Sequence, residues 1–121
     1  MKTILIAEDQ PVGLELMREM LEARGYKVLE ARDGGEALSL LAESTPDLAL
    51  LDLQMPVKNG YEVLEAIRKD GRLAEMPVFA VTALAMQGDR ERVLQAGFDG
   101  YITKPVSWPI LLLEIERALA R

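Results

Sequence analysis

Leu48-Ala49-Leu50-Leu51-Asp52 is the stretch that decides the fold: four apolar residues in a row, then a carboxylate. The turn residues Thr45-Pro46-Asp47 precede it, and a short apolar run so bounded reads as a strand buried on both faces of a parallel sheet. The same pattern recurs along the chain. Thr3-Ile4-Leu5-Ile6-Ala7 ends in Glu8-Asp9, Val78-Phe79-Ala80-Val81 in Thr82, and Tyr101-Ile102-Thr103 in Lys104. In open α/β sheets, ligands bind outside the C-terminal ends of the strands. Three acids, a hydroxyl and a lysine are therefore expected to meet at one sheet edge. That set suits a divalent metal and a phosphoryl group.

Segments with helical periodicity separate these runs. A first helix starts at Pro11, carries Leu16, Met17, Met20 and Leu21 as its apolar stripe, and stops at Gly25. Lys27 to Ala31 is a second strand. Asp33 caps a helix from Gly34 to Glu43, with Ala37, Leu38 and Leu41 inward. Met55 to Asn59 is a loop, and Gly60, placed there for backbone geometry, opens a helix bearing Tyr61, Val63, Leu64 and Ile67. A fourth helix runs from Met86 to Ala96, anchored mainly by Val93 and Leu94 and closed by Gly97. Gly88 lowers its propensity, which makes it a candidate for movement. Ser107 caps a last helix running almost to Arg121. Five strand–helix units in alternation predict a parallel sheet with helices on both faces, and the alternation alone leaves the strand order open.

Composition narrows the chemistry. The 121 residues include no cysteine and no histidine, which excludes disulfides, thiolate or imidazole metal sites, and Ser-His-Asp or Cys-His catalysis. A formal net charge of -6 argues against direct nucleic-acid binding. No run is long enough to span a membrane and no signal peptide is apparent, so a cytoplasmic location without membrane contact is expected. Carboxylate, hydroxyl and lysine chemistry remains. Carboxylates gathered on adjacent strand ends repel unless a counter-charge sits among them, and Mg2+ suits a site with few carboxylates and retained waters. Asp52, on the middle run, is the candidate nucleophile, and its attack on phosphorus would yield an acyl phosphate. Lys104 can supply charge and Thr82 a hydroxyl to the equatorial oxygens.

The ordered set Ile6-Ala7-Glu8-Asp9, Leu51-Asp52-Leu53-Gln54-Met55-Pro56, Asn59-Gly60, Val81-Thr82-Ala83 and Lys104-Pro105 resembles the receiver domain of two-component response regulators (the CheY-like superfamily). The resemblance extends from Ile4 to Leu119. It implies a flavodoxin-like sandwich with strand order 2-1-3-4-5. It implies phosphoryl transfer to Asp52 from a histidine on a sensor kinase or histidine phosphotransfer protein. Asp9, Asp52 and the backbone carbonyl of Gln54 would ligate Mg2+, and Glu8 would act through water. Lys104 would pair with the phosphoryl oxygens, Thr82 would move to hydrogen-bond them, and Tyr101 would swing inward. The Lys104-Pro105 bond would be cis.

Glu8 stands where many relatives carry Asp. Gln54 and Leu84, each two residues past a site residue, occupy positions that tune phosphoryl lifetime in the family, and Leu84 is expected to limit water approach. The stretch from Val81 to Met86 with Gly88-Asp89 is similar to single-domain receivers of the DivK type and to receivers of hybrid kinases. Residues 1-121 are expected to form one receiver domain with no output domain, acting by protein contact and catalysing only its own phosphorylation and dephosphorylation. Whether it stands alone or belongs to a longer regulator is open.

At about 100° per residue, Trp108, Leu111, Leu112, Ile115 and Leu119 share one face of the last helix, while Ile110 and Leu113 point away from it. This second pair is either scattered surface or a contact, with helix four and strand five, for a downstream target or a weak homodimer. Two other functions compete with signalling. A phosphohydrolase of the haloacid dehalogenase type needs a general acid two residues past its nucleophile, where this chain has Gln54. A phosphorylation-independent binding module would not need the full set of acids, threonine and lysine.

Overall fold

The computed structural model describes residues 1-83 and 86-120. Five strands, β1 (Thr3–Ala7), β2 (Lys27–Ala31), β3 (Leu48–Asp52), β4 (Val78–Thr82) and β5 (Gly100–Thr103), alternate with five helices. These are α1 (Pro11–Glu22), α2 (Gly34–Glu43), α3 (Gly60–Lys69), α4 (Asp89–Ala96) and α5 (Trp108–Leu119). All strand pairs are parallel, in the order β2-β1-β3-β4-β5. This is the expected flavodoxin-like order. The central strands β3 and β4 are buried at every residue, which is why their sequences are unbroken apolar runs. The edge strand β2 is exposed at Lys27 and Glu30.

Strand alternation divides the core in two. Leu5, Ala49, Leu51, Val78 and Ala80 face α2, α3 and α4, where Ala37, Leu41, Val63, Leu64, Ile67 and Val93 meet them. Ile4, Ile6, Leu48, Leu50, Phe79 and Val81 face α1 and α5, against Leu14, Met17, Leu21, Leu111, Leu112 and Ile115. Each fully buried leucine or isoleucine contributes roughly 1.5–3 kcal/mol through apolar transfer.

Four local expectations are corrected. The buried stripe of α1 is Leu14, Met17 and Leu21, and Leu16 is exposed. Residues 14, 17 and 21 fall on one line of the helix, and Leu16 lies on the far side of it. The fourth helix begins at Asp89, not Met86, because Gly88 sits at φ +89° in the left-handed region. There the Met86 N–H donates to the Asp89 carboxylate at 2.7 Å, closing a turn before the helix. Leu94 is exposed, so Val93 alone is buried on α4. At the start of α5, Ser107 occupies the cap position but its side chain makes no capping bond.

The base of the fold is tied by Arg68 of α3. Its guanidinium donates to the carbonyls of Ala74, Met76 and Gly97 and to the Asp99 carboxylate. The C-terminal end of α4 is held there, while its N-terminal end faces the opposite edge of the sheet.

Candidate functional site

β1 and β3 are neighbours, and the chain leaves them toward opposite faces, opening a crevice at their C-terminal ends. Glu8 and Asp9 follow β1, Asp52 closes β3 beside Val81 of β4, and Thr82 closes β4 beside Thr103 of β5. Lys104 follows β5, and its N–H donates to the Thr82 carbonyl at 2.9 Å. The strand order thus gathers Glu8, Asp9, Asp52 and Lys104 at one edge, with Thr82 ending the strand beside Asp52's.

Lys104 organises the charges. Its Nζ lies 2.9 and 2.7 Å from the two oxygens of Glu8 and 2.9 Å from Asp52 Oδ2. Glu8 is 1% exposed and Asp52 5%, so the ammonium bridges two buried carboxylates. The Gln54 N–H donates to Asp52 Oδ1 at 2.9 Å, and the Gln10 N–H to Glu8 Oε1 at 3.2 Å. One carboxylate oxygen each from Glu8, Asp9 and Asp52 lies within 4.8 Å of the others. Hard oxygen donors at this spacing fit a small divalent cation. Thr82 is fully buried. Tyr101 is half-buried and packs against the core on the α2–α4 side. The Lys104-Pro105 peptide bond is cis.

Electrostatics follow burial. Desolvation pushes the Glu8 carboxyl above its ordinary value; the Lys104 hydrogen bond opposes the rise and the Asp52 charge adds to it. Burial alone would lower the Lys104 ammonium, but its hydrogen bonds to Glu8 and Asp52, with their charges, hold it above the usual lysine range. Burial raises the Tyr101 phenol, helped by the charge of Asp89 and by Tyr61.

The raised Glu8 value fixes a pH dependence for the metal-free protein. Above about 4.5, the folded protein holds the Glu8 proton to higher pH than the unfolded chain does. The folded state binds more protons across this window, so the stability Glu8 contributes falls as pH rises through it. Glu8→Gln removes the ionisable group and keeps one of the two oxygens that accept from Lys104. The variant is expected to flatten the pH dependence of the urea midpoint above about pH 4.5. An unchanged slope would show that Glu8 is not the group responsible.

The end of the loop after β3 holds a capping box that was not singled out from the sequence. Asn59 and Glu62 form a reciprocal capping box at the start of α3, with the Glu62 N–H donating to Asn59 and the Asn59 N–H to Glu62. The signal was present as Asn-x-x-Glu. Gly60 is needed for close approach: a Cβ there would lie 2.6 Å from the Asp52 carbonyl oxygen and 3.0 Å from Leu53 Cα. Ile110 and Leu113, 58% and 46% exposed, do face away from the core. Leu84, assigned a part in water exclusion, lies outside the described residues.

A doubly wound parallel sheet with an acid cluster, a threonine and a lysine at its switch-point edge is the architecture of a signalling receiver domain. The chain belongs to the response regulator receiver domain family, which it matches over residues 4–116. It is 43% identical over 118 residues to the polar-differentiation response regulator DivK of Brucella anthropi, covering 98% of this chain and 96% of that protein. Among solved structures it resembles the Francisella response regulator 1452 receiver domain, with a TM-score of 0.93 and 28% identity, covering 100% of this chain and 98% of that one. It also resembles the receiver domain of the sensor histidine kinase PA1611 from Pseudomonas aeruginosa, with a TM-score of 0.91 and 35% identity over 99% of this chain and 98% of that one. That structure has a magnesium ion coordinated in its active-site cleft. Among the described residues of the present chain, no helix is long and apolar enough to cross a membrane.

Proposed function

We propose that this receiver is a phosphorylation-controlled switch whose acceptor is Asp52. The observation that carries the reading is the Lys104 ammonium seated between Glu8 and Asp52, with Asp9 completing an acid cluster at the same edge. A carboxylate oxygen of Asp52 attacks the phosphorus of a phosphohistidine on a sensor kinase or histidine phosphotransfer protein. The new O–P bond forms as the P–N bond breaks, and the electron pair leaves with the imidazole, which takes up a proton. Asp9, Asp52 and the Gln54 carbonyl would hold Mg2+, with Glu8 acting through water. Bound there, the ion neutralises charge on the phosphoryl oxygens. Lys104, already within reach of Asp52, supplies the second cation. Hydrolysis returns the domain to its resting state, so its chemistry acts on itself.

Phosphorylation draws the Thr82 hydroxyl toward the phosphoryl group, and Tyr101 moves into the space this opens. α4 carries a single buried anchor at Val93, which supports movement at this element. The face formed by α4, β5 and α5 then meets a downstream protein or a second copy, with Ile110 and Leu113 as its apolar contacts. The likeness to DivK supports a signalling role of this kind.

Incubation with Mg2+ and a small acyl phosphate is expected to add one phosphate, read by intact mass, and chelation of the metal to prevent it. Failure to form any adduct in the presence of Mg2+ would overturn the reading. Changing Ile110 and Leu113 together to glutamine is expected to leave folding within about 0.5 kcal/mol of wild type. It should weaken self-association of the phosphorylated protein, measured by sedimentation; a dimer that persists unchanged does not use this face.

A further inference from the structure

The loop from Leu53 to Asn59 bears the Gln54 carbonyl and begins directly after Asp52. Its conformation is not one it would choose unaided, since Val57 is a β-branched residue at φ +70°. Something must hold it. At one end, Gly60 lies flat against the backbone of Asp52 and Leu53. At the other, the loop rests on the first turn of α2. The Gly34 N–H donates to the Pro56 carbonyl at 3.3 Å, and the Lys58 N–H donates to the same carbonyl at 2.8 Å. A Cβ on Gly34 would overlap the Lys58 carbonyl oxygen and would lie 2.6 Å from its carbonyl carbon. These are backbone atoms, which cannot turn aside as a side-chain tip can.

The first turn of α2 is itself fixed. The Asp33 side chain accepts from the Glu36 N–H at 2.8 Å, and the Glu36 carboxylate accepts from the Arg32 N–H at 2.7 Å. This is a rigid seat with no side chain at the point of contact. The next residue provides a contrast. A Cβ on Gly35 would meet Val57 Cγ1 at 3.1 Å and Asp33 Oδ1 at 3.2 Å, and Val57 is 74% exposed and free to turn away.

We propose that Gly34 is a positioning residue for the phosphoryl site: the bare start of α2 seats the loop so that the Gln54 carbonyl stands where it can bind the metal. This rests on the reading of Asp52 as acceptor and of the Gln54 carbonyl as a ligand. A side chain at position 34 would lift residues 56-58 and carry Gln54 away from Asp52, although Gly34 is not among the residues that would hold the metal.

The test is Mg2+ titration by calorimetry on wild type, Gly34→Ala and Gly35→Ala, each verified as folded by circular dichroism. Gly34→Ala is expected to weaken Mg2+ binding by about tenfold or more, and Gly35→Ala to bind as wild type does. A merely structural glycine would lower the denaturation midpoint and leave the affinity of the folded protein unchanged. Wild-type affinity in Gly34→Ala, or an equal loss in Gly35→Ala, overturns the proposal. Hydrogen exchange of the Gly34 amide in wild-type protein gives a second reading should the variant not fold. Mg2+ is expected to slow that exchange, and indifference to Mg2+ counts as refutation. Wild-type protein that binds no Mg2+ and forms no adduct instead overturns the function proposed above, and this inference with it.

Discussion

Asp52→Asn is expected to abolish phosphate incorporation altogether while leaving the fold intact. The carboxamide is a poor nucleophile and no other acid shares the position of Asp52. Glu8 is bound to Lys104 through both oxygens, and Asp9 lies beyond the end of its strand. The substitution conserves shape. The carboxamide retains an oxygen for the Gln54 N–H, which bonds Asp52 Oδ1 at 2.9 Å in the wild-type protein. Lys104 keeps its two bonds to Glu8. One buried negative charge disappears from a cluster holding three acids and one lysine, so stability should change by no more than about 1 kcal/mol, toward the stable side. Intact mass after incubation with Mg2+ and a phosphodonor, together with urea unfolding, gives both readings. An adduct on the Asp52→Asn variant at the wild-type level would place the acceptor elsewhere.

Lys104→Met is expected to produce the largest loss of stability, about 3 kcal/mol at neutral pH. Removing one partner of a buried ion pair leaves an uncompensated charge, and here it leaves two carboxylates facing each other, Glu8 at 1% and Asp52 at 5% exposure. Lys104 itself is 27% exposed, so water admitted along its path keeps the figure at the lower end of the range for buried pairs. The sign with pH separates this cause from lost packing. Without the ammonium, the main influence that lowers Glu8 is gone, and its carboxyl rises further. The folded variant then binds a proton over a wider range above about 4.5, and stability returns on acidification through that range. Mg2+ should restore it at neutral pH by the same logic. A deficit that is the same at pH ~5 and ~7, and indifferent to Mg2+, would assign the effect to the lost aliphatic stem.

Much of this molecule was legible in one dimension. Leu48 to Leu51 and Val78 to Val81 are strands because only a doubly covered parallel sheet buries such runs, and α2 and α3 were visible from their spacing. The gathering of Glu8, Asp9, Asp52 and Lys104 was legible for the same reason: in a parallel sheet every strand points the same way, so residues that end separate strands share an edge. The misreadings fell where local pattern permits two answers. Leu16 and Leu14 are equally apolar, and only the position of the sheet beneath α1 selects the second. Gly88 and Met86 could both belong to a helix until the left-handed turn excludes them.

Strand alternation, residue types and the absence of histidine and cysteine were enough to specify the class of fold and the chemistry open to it, because burial and charge act residue by residue. Which carboxylate Lys104 grips, how closely Gly60 and Gly34 meet the loop after Asp52, and which leucines leave the core were settled only by folding. Those are distances between segments far apart along the chain, and no local propensity encodes them.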